Sequence, residues 1–391
     1  MTDQAQTATV ASEATVQPKQ KARGRAIALD ALKGLIMIVM ALDHTRSFLM
    51  KYDGVKEIWY EPAIYNPQFW DFLSRYASHP AAPGFFFMMG MGMVLMVESR
   101  RKIGWDDQKV FVSFLKRGAI LILLQFTLEN LAWFERSHNP LHFLSTGVLS
   151  TLGACMIIGG FMMRFRAIGV AVISVAATVL TISIVRSIDP AQHDNQSLLM
   201  SLLFVAGRAG VVKVNYPIVP WLGVTGFGML YGWYWGADRV RGYRAALYLG
   251  LGLILAFVAM RYFGGFLNYR APVDGSFEAF MQATKYPPSV SWLSLMCGLN
   301  FLFIWLFWKG EALVERFAPF LLAYGRSALF FYIVHLHIYA LMSLIFFNLH
   351  TTILSLAGVL WLVGLAILWP LCAWYGKFKA GKDADSIWRL L

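Results

Sequence analysis

The stretch IALDALKGLIMIVMALDHTRSFL, residues 27–49, decides the fold class. A helix rises 1.5 Å per residue, so roughly 20 mostly apolar residues cross the hydrocarbon core of a bilayer, and this stretch has that length. Its ionisable residues gather at the two ends, Asp30 and Lys33 at one and Asp43, His44 and Arg46 at the other. Comparable apolar runs recur at about 81–98, 110–132, 142–163, 167–186, 217–236, 244–263, 289–308, 320–347 and 353–375. The apolar segment 198–206 is too short to cross and reads as a re-entrant or interfacial helix. The expectation is an all-α, polytopic membrane helix bundle of about ten transmembrane helices.

Composition agrees. Of 391 residues 58% are hydrophobic and 14% charged, whereas a soluble domain carries about a quarter charged residues. The net charge of +12 would suit nucleic acid if the cations clustered. Instead they recur between apolar runs: Lys19, Lys21, Arg23 and Arg25; Arg100, Arg101, Lys102 and Lys109; Arg164 and Arg166; Arg239, Arg241 and Arg244; Lys309 and Arg316; Lys377, Lys379, Lys382 and Arg389. Every second connection is basic, which is the positive-inside pattern of a multi-pass inner-membrane protein with both termini in the cytoplasm. The expected partners are membrane lipids, with no nucleic acid. Residues 1–24 read as a disordered cytoplasmic tail and 25–391 as a single transmembrane domain, its first run an uncleaved anchor.

Cys155, Cys297 and Cys372 fall inside apolar runs without metal spacing and read as packing residues. The Met-rich 85–96 segment reads as a packing helix in which Gly90 and Gly92 admit a neighbouring backbone. Trp59, Tyr60, Tyr65, Trp70, Tyr269 and Tyr286 crowd the outer connections, as an interfacial belt or a binding lip.

An ionisable residue inside a bilayer is costly and marks a candidate site. Counted from Arg25, His44 lies about 28 Å along the first helix, at its far mouth. Asp43 and Arg46 are three apart and can pair on one face. His79 precedes the second span and should emerge on the same side, so His44 and His79 are candidate general bases with Asp43 as tuning acid. An interfacial ion pair with a bystander histidine is the plain alternative. His335 and His337 are two apart, so only one faces the bundle, and His335 shares its face with Tyr332. Interhelical hydrogen bonding would also explain His335, and a salt bridge would explain Asp30 with Lys33. No spacing suggests a metal site.

Read together, Arg25-x-x-x-Leu29-Asp30-x-Leu32-Lys33-Gly34 and Met40-Ala-Leu-Asp43-His44-Thr-Arg46 resemble the opening of the heparan-α-glucosaminide N-acetyltransferase catalytic-domain family, in its bacterial branch. The similarity continues in His79-x-x-x-Pro83-x-Phe-Phe-Phe-Met-x-Gly90, Tyr216-Pro-Ile-Val-Pro-Trp221-Leu-Gly223, Lys285-Tyr-Pro-Pro-Ser289 and Gly325-Arg-Ser-x-x-x-x-Tyr332-x-x-His335. The resemblance implies a transmembrane acyltransferase of the bacterial inner membrane. It would take acetyl from cytoplasmic acetyl-CoA and place it on a periplasmic sugar or lipid-linked acceptor, with no metal. The lysosomal enzyme's essential luminal histidine falls at Phe69 here and a later aspartate at His79, which leaves the base role to His44 or His79. Arg46 or Tyr332 would serve the oxyanion, and His335 and Lys285 the substrate. Lys33, Arg117 and Arg241 would hold the coenzyme A phosphates. A homodimer stays open. A solute or proton-coupled transporter using the histidines as a relay, or a non-catalytic scaffold, are the other readings, although no internal repeat or matched broken helices favour transport.

Overall fold

The computed structural model describes residues 26–50, 57–60, 69–346, 356–383 and 386–389. The proposed tail, Arg25 and Tyr65 therefore lie outside the described residues. The chain is all-α and polytopic. Its helices are α1 (Ile27–Leu49), α2 (Phe69–Ser78), α3 (Ala81–Arg101), α4 (Asp107–Leu124), α5 (Asn130–Ser137), α6 (Val148–Met162), α7 (Arg166–Ser187) and α8 (Leu198–Leu203). There follow α9 (Ile218–Ala237), α10 (Arg239–Phe263), α11 (Phe277–Met281), α12 (Val290–Lys309), α13 (Glu311–Phe317), α14 (Pro319–Arg326), α15 (Ala328–Phe346) and α16 (Leu356–Ala380).

Among the described residues each expected apolar run is mainly helix, although the run at 142–163 includes the short strand Ser145–Thr146 and the run at 320–347 is broken at Ser327 into α14 and α15. By length and composition alone, seven stretches among the described residues can cross a membrane: 72–101, 107–135, 148–187, 239–263, 290–309, 328–346 and 356–380. The 40-residue stretch 148–187 is α6 and α7 joined by a tight turn at Met163–Phe165. The segment around 198–206 forms only the six-residue α8, about 9 Å long, which cannot cross.

Helix α1 is the centre of the bundle and touches α2, α3, α12, α14, α15 and α16. Its crossing with α14 is close because two glycines face it. A Cβ on Gly34 would lie 2.0 Å from the Leu321 carbonyl oxygen, and one on Gly325 would lie 1.9 Å from that of Asp30. Gly90 does the same for α3 against α9, where a Cβ would lie 2.0 Å from the Thr225 oxygen. Gly92, expected to share that role, meets nothing and is exposed.

The only strands among the described residues form a small sheet over one end of the bundle. β1 (Ser145–Thr146) runs parallel to β3 (Val212–Val214), which pairs antiparallel with β2 (Gly207–Ala209). It roofs the space left where α1 ends and α3 begins, and that space is the site.

Candidate active site

A cavity of about 780 Å³ opens at this end, lined by the last turns of α1, the start of α3, the α4–α5 junction, the small sheet, the 285–286 loop and α15. Asp43, His44, Arg75, Glu129, Lys285 and Tyr332 all face it. Five of the expected site residues are thereby brought together, because His335 stands directly behind His44.

That pair fixes its own proton positions. His335 is fully buried, and its Nδ1 lies 2.9 Å from the Phe331 carbonyl oxygen four residues earlier on α15. A carbonyl only accepts, so Nδ1 carries the proton and Nε2 offers a lone pair. His44 Nδ1 is 2.7 Å from that Nε2 and must donate to it. The lone pair of His44 is then on Nε2, with the ring edge-on to Trp133 and Tyr332 at 5.8 and 6.3 Å between centroids. An anchored neutral imidazole beside a cavity can take a proton and share the charge with the histidine behind it. Of the two ninth-run histidines only His335 faces the bundle; His337 turns toward Glu135, 3.4 Å away.

The carboxylates are arranged differently from the expectation. Asp43 pairs with Arg75, not with Arg46, and Arg46 donates instead to the Ser74 hydroxyl. Arg75 also grips Glu57 through Nη2 at 2.6 Å and Nε at 3.1 Å, and Glu57 meets His79 Nε2 at 3.1 Å. Burial alone would raise the Glu57 carboxyl, but the Arg75 charge and His79 overcome it and hold the group well below the ordinary carboxylate range. His79 is buried behind Glu57 and is not among the cavity residues. Hence His44 converges with His335 rather than with His79, and His335, not Asp43, orients it.

Long-range hydrogen bonds hold the rim. Arg261, 2% exposed, donates to the carbonyls of Phe280, Ala279 and Gln282. The 57–59 segment accepts from Lys285 N and Tyr286 N and donates from Trp59 N to the Tyr286 oxygen. These fix Lys285, which is buried, faces the cavity and lies 5.0 Å over the Tyr286 ring. Tyr286 and Tyr216 hydroxyls are 3.5 Å apart, and burial, with Tyr286 beside it, pushes Tyr216 well above its ordinary value. Tyr216 thus remains a neutral O–H donor. Phe69 stands at the exposed start of α2, away from the cavity.

Sequence reasoning missed Arg75, Glu57, Glu129 and the Tyr216–Tyr286 pair. A signal existed for Glu129, an acid inside an apolar run.

A second cavity, of about 680 Å³, opens toward the other end of the bundle, among Arg100, Arg117, Arg326, Lys377, Lys379 and Arg389. No acidic side chain lines it. Arg117 lines this basic cavity, and its Nε is buried there without a hydrogen-bond partner among the described residues. Lys33 is one step removed: it pairs with Asp30 at 2.8 Å, and Asp30 meets Arg326 at 3.5 Å. Arg241 stays apart, exposed and paired with Asp238 at 3.2 Å. Along α1, Asp30 and His44 are about 21 Å apart, so the two cavities are stacked within one bundle.

Among the described residues no three His, Cys, Asp or Glu gather as a metal group. The arrangement offers a base, phenolic donors and, one helix length away, a cationic hold for an anion, which are the elements of acyl transfer from a phosphate-bearing thioester. No curated protein matches the chain. A family described as "Heparan-alpha-glucosaminide N-acetyltransferase, catalytic" matches residues 25–259. That span covers α1 with His44, Arg75 and Glu129, while Lys285, Tyr332 and His335 lie beyond it. The chain belongs to the heparan-alpha-glucosaminide N-acetyltransferase catalytic family.

Proposed function

We propose that this protein is a membrane acyltransferase that takes acetyl from acetyl-CoA held at the basic cavity and delivers it to a sugar or lipid-linked acceptor in the His44 cavity. The family supports acetyl transfer as the reaction type. The observation that carries the reading is the His44–His335 pair, 2.7 Å apart beside the open cavity, with six cations lining a second cavity about 21 Å away along α1. An extended pantetheine arm has comparable reach, so a donor anchored by its phosphates could present its thioester to His44.

In this reaction His44 Nε2 removes a proton from the acceptor amine or hydroxyl as the acceptor attacks the thioester carbon. His335 accepts from His44 Nδ1 throughout and stabilises the imidazolium. Tyr216 and Tyr332 hydroxyls are the donors available to the developing oxyanion. Dividing 148–187 at its turn and adding α1 and α9 to the apolar stretches gives ten crossings. The alternating cations support cytoplasmic termini, a cytoplasmic basic cavity and a periplasmic His44 mouth in a bacterial inner membrane.

Purified protein is incubated with radiolabelled acetyl-CoA and glucosamine, then with other amino sugars and lipid-linked glycans. Label moving to an acceptor supports the reading. Solute counterflow in liposomes without thioester consumption would replace it by transport.

A further inference from the structure

One carboxyl in the cavity has no part in the mechanism so far. Glu129 is 5% exposed and lines the cavity, yet its Oε2 is buried without a hydrogen-bond partner among the described residues. Asp43 and Glu57 are both held by Arg75, whereas no ion pair involves Glu129 among the described residues. Gln125, Tyr332 and the Leu149 backbone hydrogen-bond the rest of the group, but an oxygen buried without a partner is costly, which calls for a use.

Its placement is built. Glu129 ends the π-helical turn Gln125–Glu129, an insertion that turns side chains inward and recurs at functional sites. Asn130 pins that turn by accepting from Gln125 Nε2 at 2.9 Å and donating to the Ser145 oxygen at 3.0 Å. Gly147 leaves the room: a Cβ there would lie 2.6 Å from Glu129 Oε1. Trp133, one turn on from Glu129, meets the His44 ring, and Tyr332 neighbours both His44 and Glu129. In the other direction the same helical segment leads back to Arg117 in the basic cavity, about 18 Å away. Glu129 therefore flanks the reacting centre on the side from which a donor would come, and His44 flanks it on the acceptor side.

We infer that Glu129 is the general acid that protonates the departing thiolate. This rests on the acyl-transfer reading above. The acceptor's lone pair forms the new bond to the acyl carbon and its proton passes to His44 Nε2. The carbon–sulfur bond breaks with its electron pair going to sulfur, and the Glu129 carboxyl gives that sulfur a proton. His44 then releases its proton and Glu129 regains one through cavity water, leaving acylated acceptor and free thiol.

The test uses the full chain with two donors, acetyl-CoA and the acetyl thioester of 4-nitrothiophenol, whose thiolate leaves without a proton. Glu129→Gln keeps the side-chain volume and removes the acid. Transfer from acetyl-CoA should fall by about 10²–10⁴-fold, while transfer from the aryl thioester stays within about tenfold of wild type. Equal loss with both donors, or no loss with either, overturns the assignment. Wild-type protein that transfers from neither donor overturns the acyltransferase reading and this assignment with it.

Discussion

The two cavities of this bundle hold charge in opposite ways. Around His44 both signs are present and largely neutralised in place, since Arg75 holds Asp43 and Glu57 together and His79 backs Glu57. In the other cavity six cations face one space with no acid among its lining residues. A neutralised cluster does not grip an ion strongly, and it leaves the orientation of His44 to its hydrogen bond with His335. A cluster of one sign does the reverse: it attracts an anion and has little to offer proton transfer. On the proposed function, the difference separates a reacting end from a holding end within one helix length.

The largest effect is expected at His44. His44→Ala should lower acyl transfer by about 10²–10⁴-fold while donor binding is unchanged, and His335→Ala should give a smaller loss by releasing the base from its anchor. His337→Ala, facing Glu135, is the control and should leave turnover near wild type. Steady-state rates with donor-binding isotherms check all three.

Next in size is the buried ion-pair cluster. Arg75→Ala leaves two carboxylates in the protein without their shared cation, and breaking a buried pair this way costs about 3–5 kcal/mol. Thermal unfolding in detergent should show a clear drop. The same truncation at Arg241, whose pair with Asp238 is exposed, should barely register.

At the holding end the effects should be smaller and salt-dependent. Arg117→Glu is expected to weaken acetyl-CoA binding by about tenfold at low salt, because a charge-assisted hydrogen bond contributes about 1.5–3 kcal/mol. The loss should shrink as salt rises, by screening. Catalytic rate at saturating donor should change far less than affinity.

The subtlest difference is in pH. Glu57 titrates below its unfolded value, so the stability its pairing contributes is complete above about pH 4.3 and is lost as the pH falls through the folded value. Melting temperature should therefore decline on acidification below about pH 4, and Glu57→Gln should give a shallower decline over that interval.

The fold was more legible than the site, for a physical reason. A crossing helix is written in one contiguous apolar run, so α1, α3, α4 and the rest stand where periodicity puts them. Charge pairing depends on which elements meet. Asp43 and Arg46 are near in sequence, yet the partner of Asp43 is Arg75, which only the packing of α2 against α1 brings to it. His44 and His335 are 291 residues apart, and nothing local links them. The rule that a buried ionisable residue marks a site did reach His44, His335 and Tyr332's face of the ninth run. Applied evenly it would also have reached Glu129.

In the proposed reaction donor and acceptor meet from opposite ends of the bundle. The direct measurement is acetyl transfer in sealed proteoliposomes of known orientation, with labelled acetyl-CoA and the acceptor supplied on chosen sides. Transfer should require acetyl-CoA on the Arg117 face and acceptor on the His44 face, and should fall away in the His44→Ala protein. Equal transfer with both supplied only at the His44 face would contradict it.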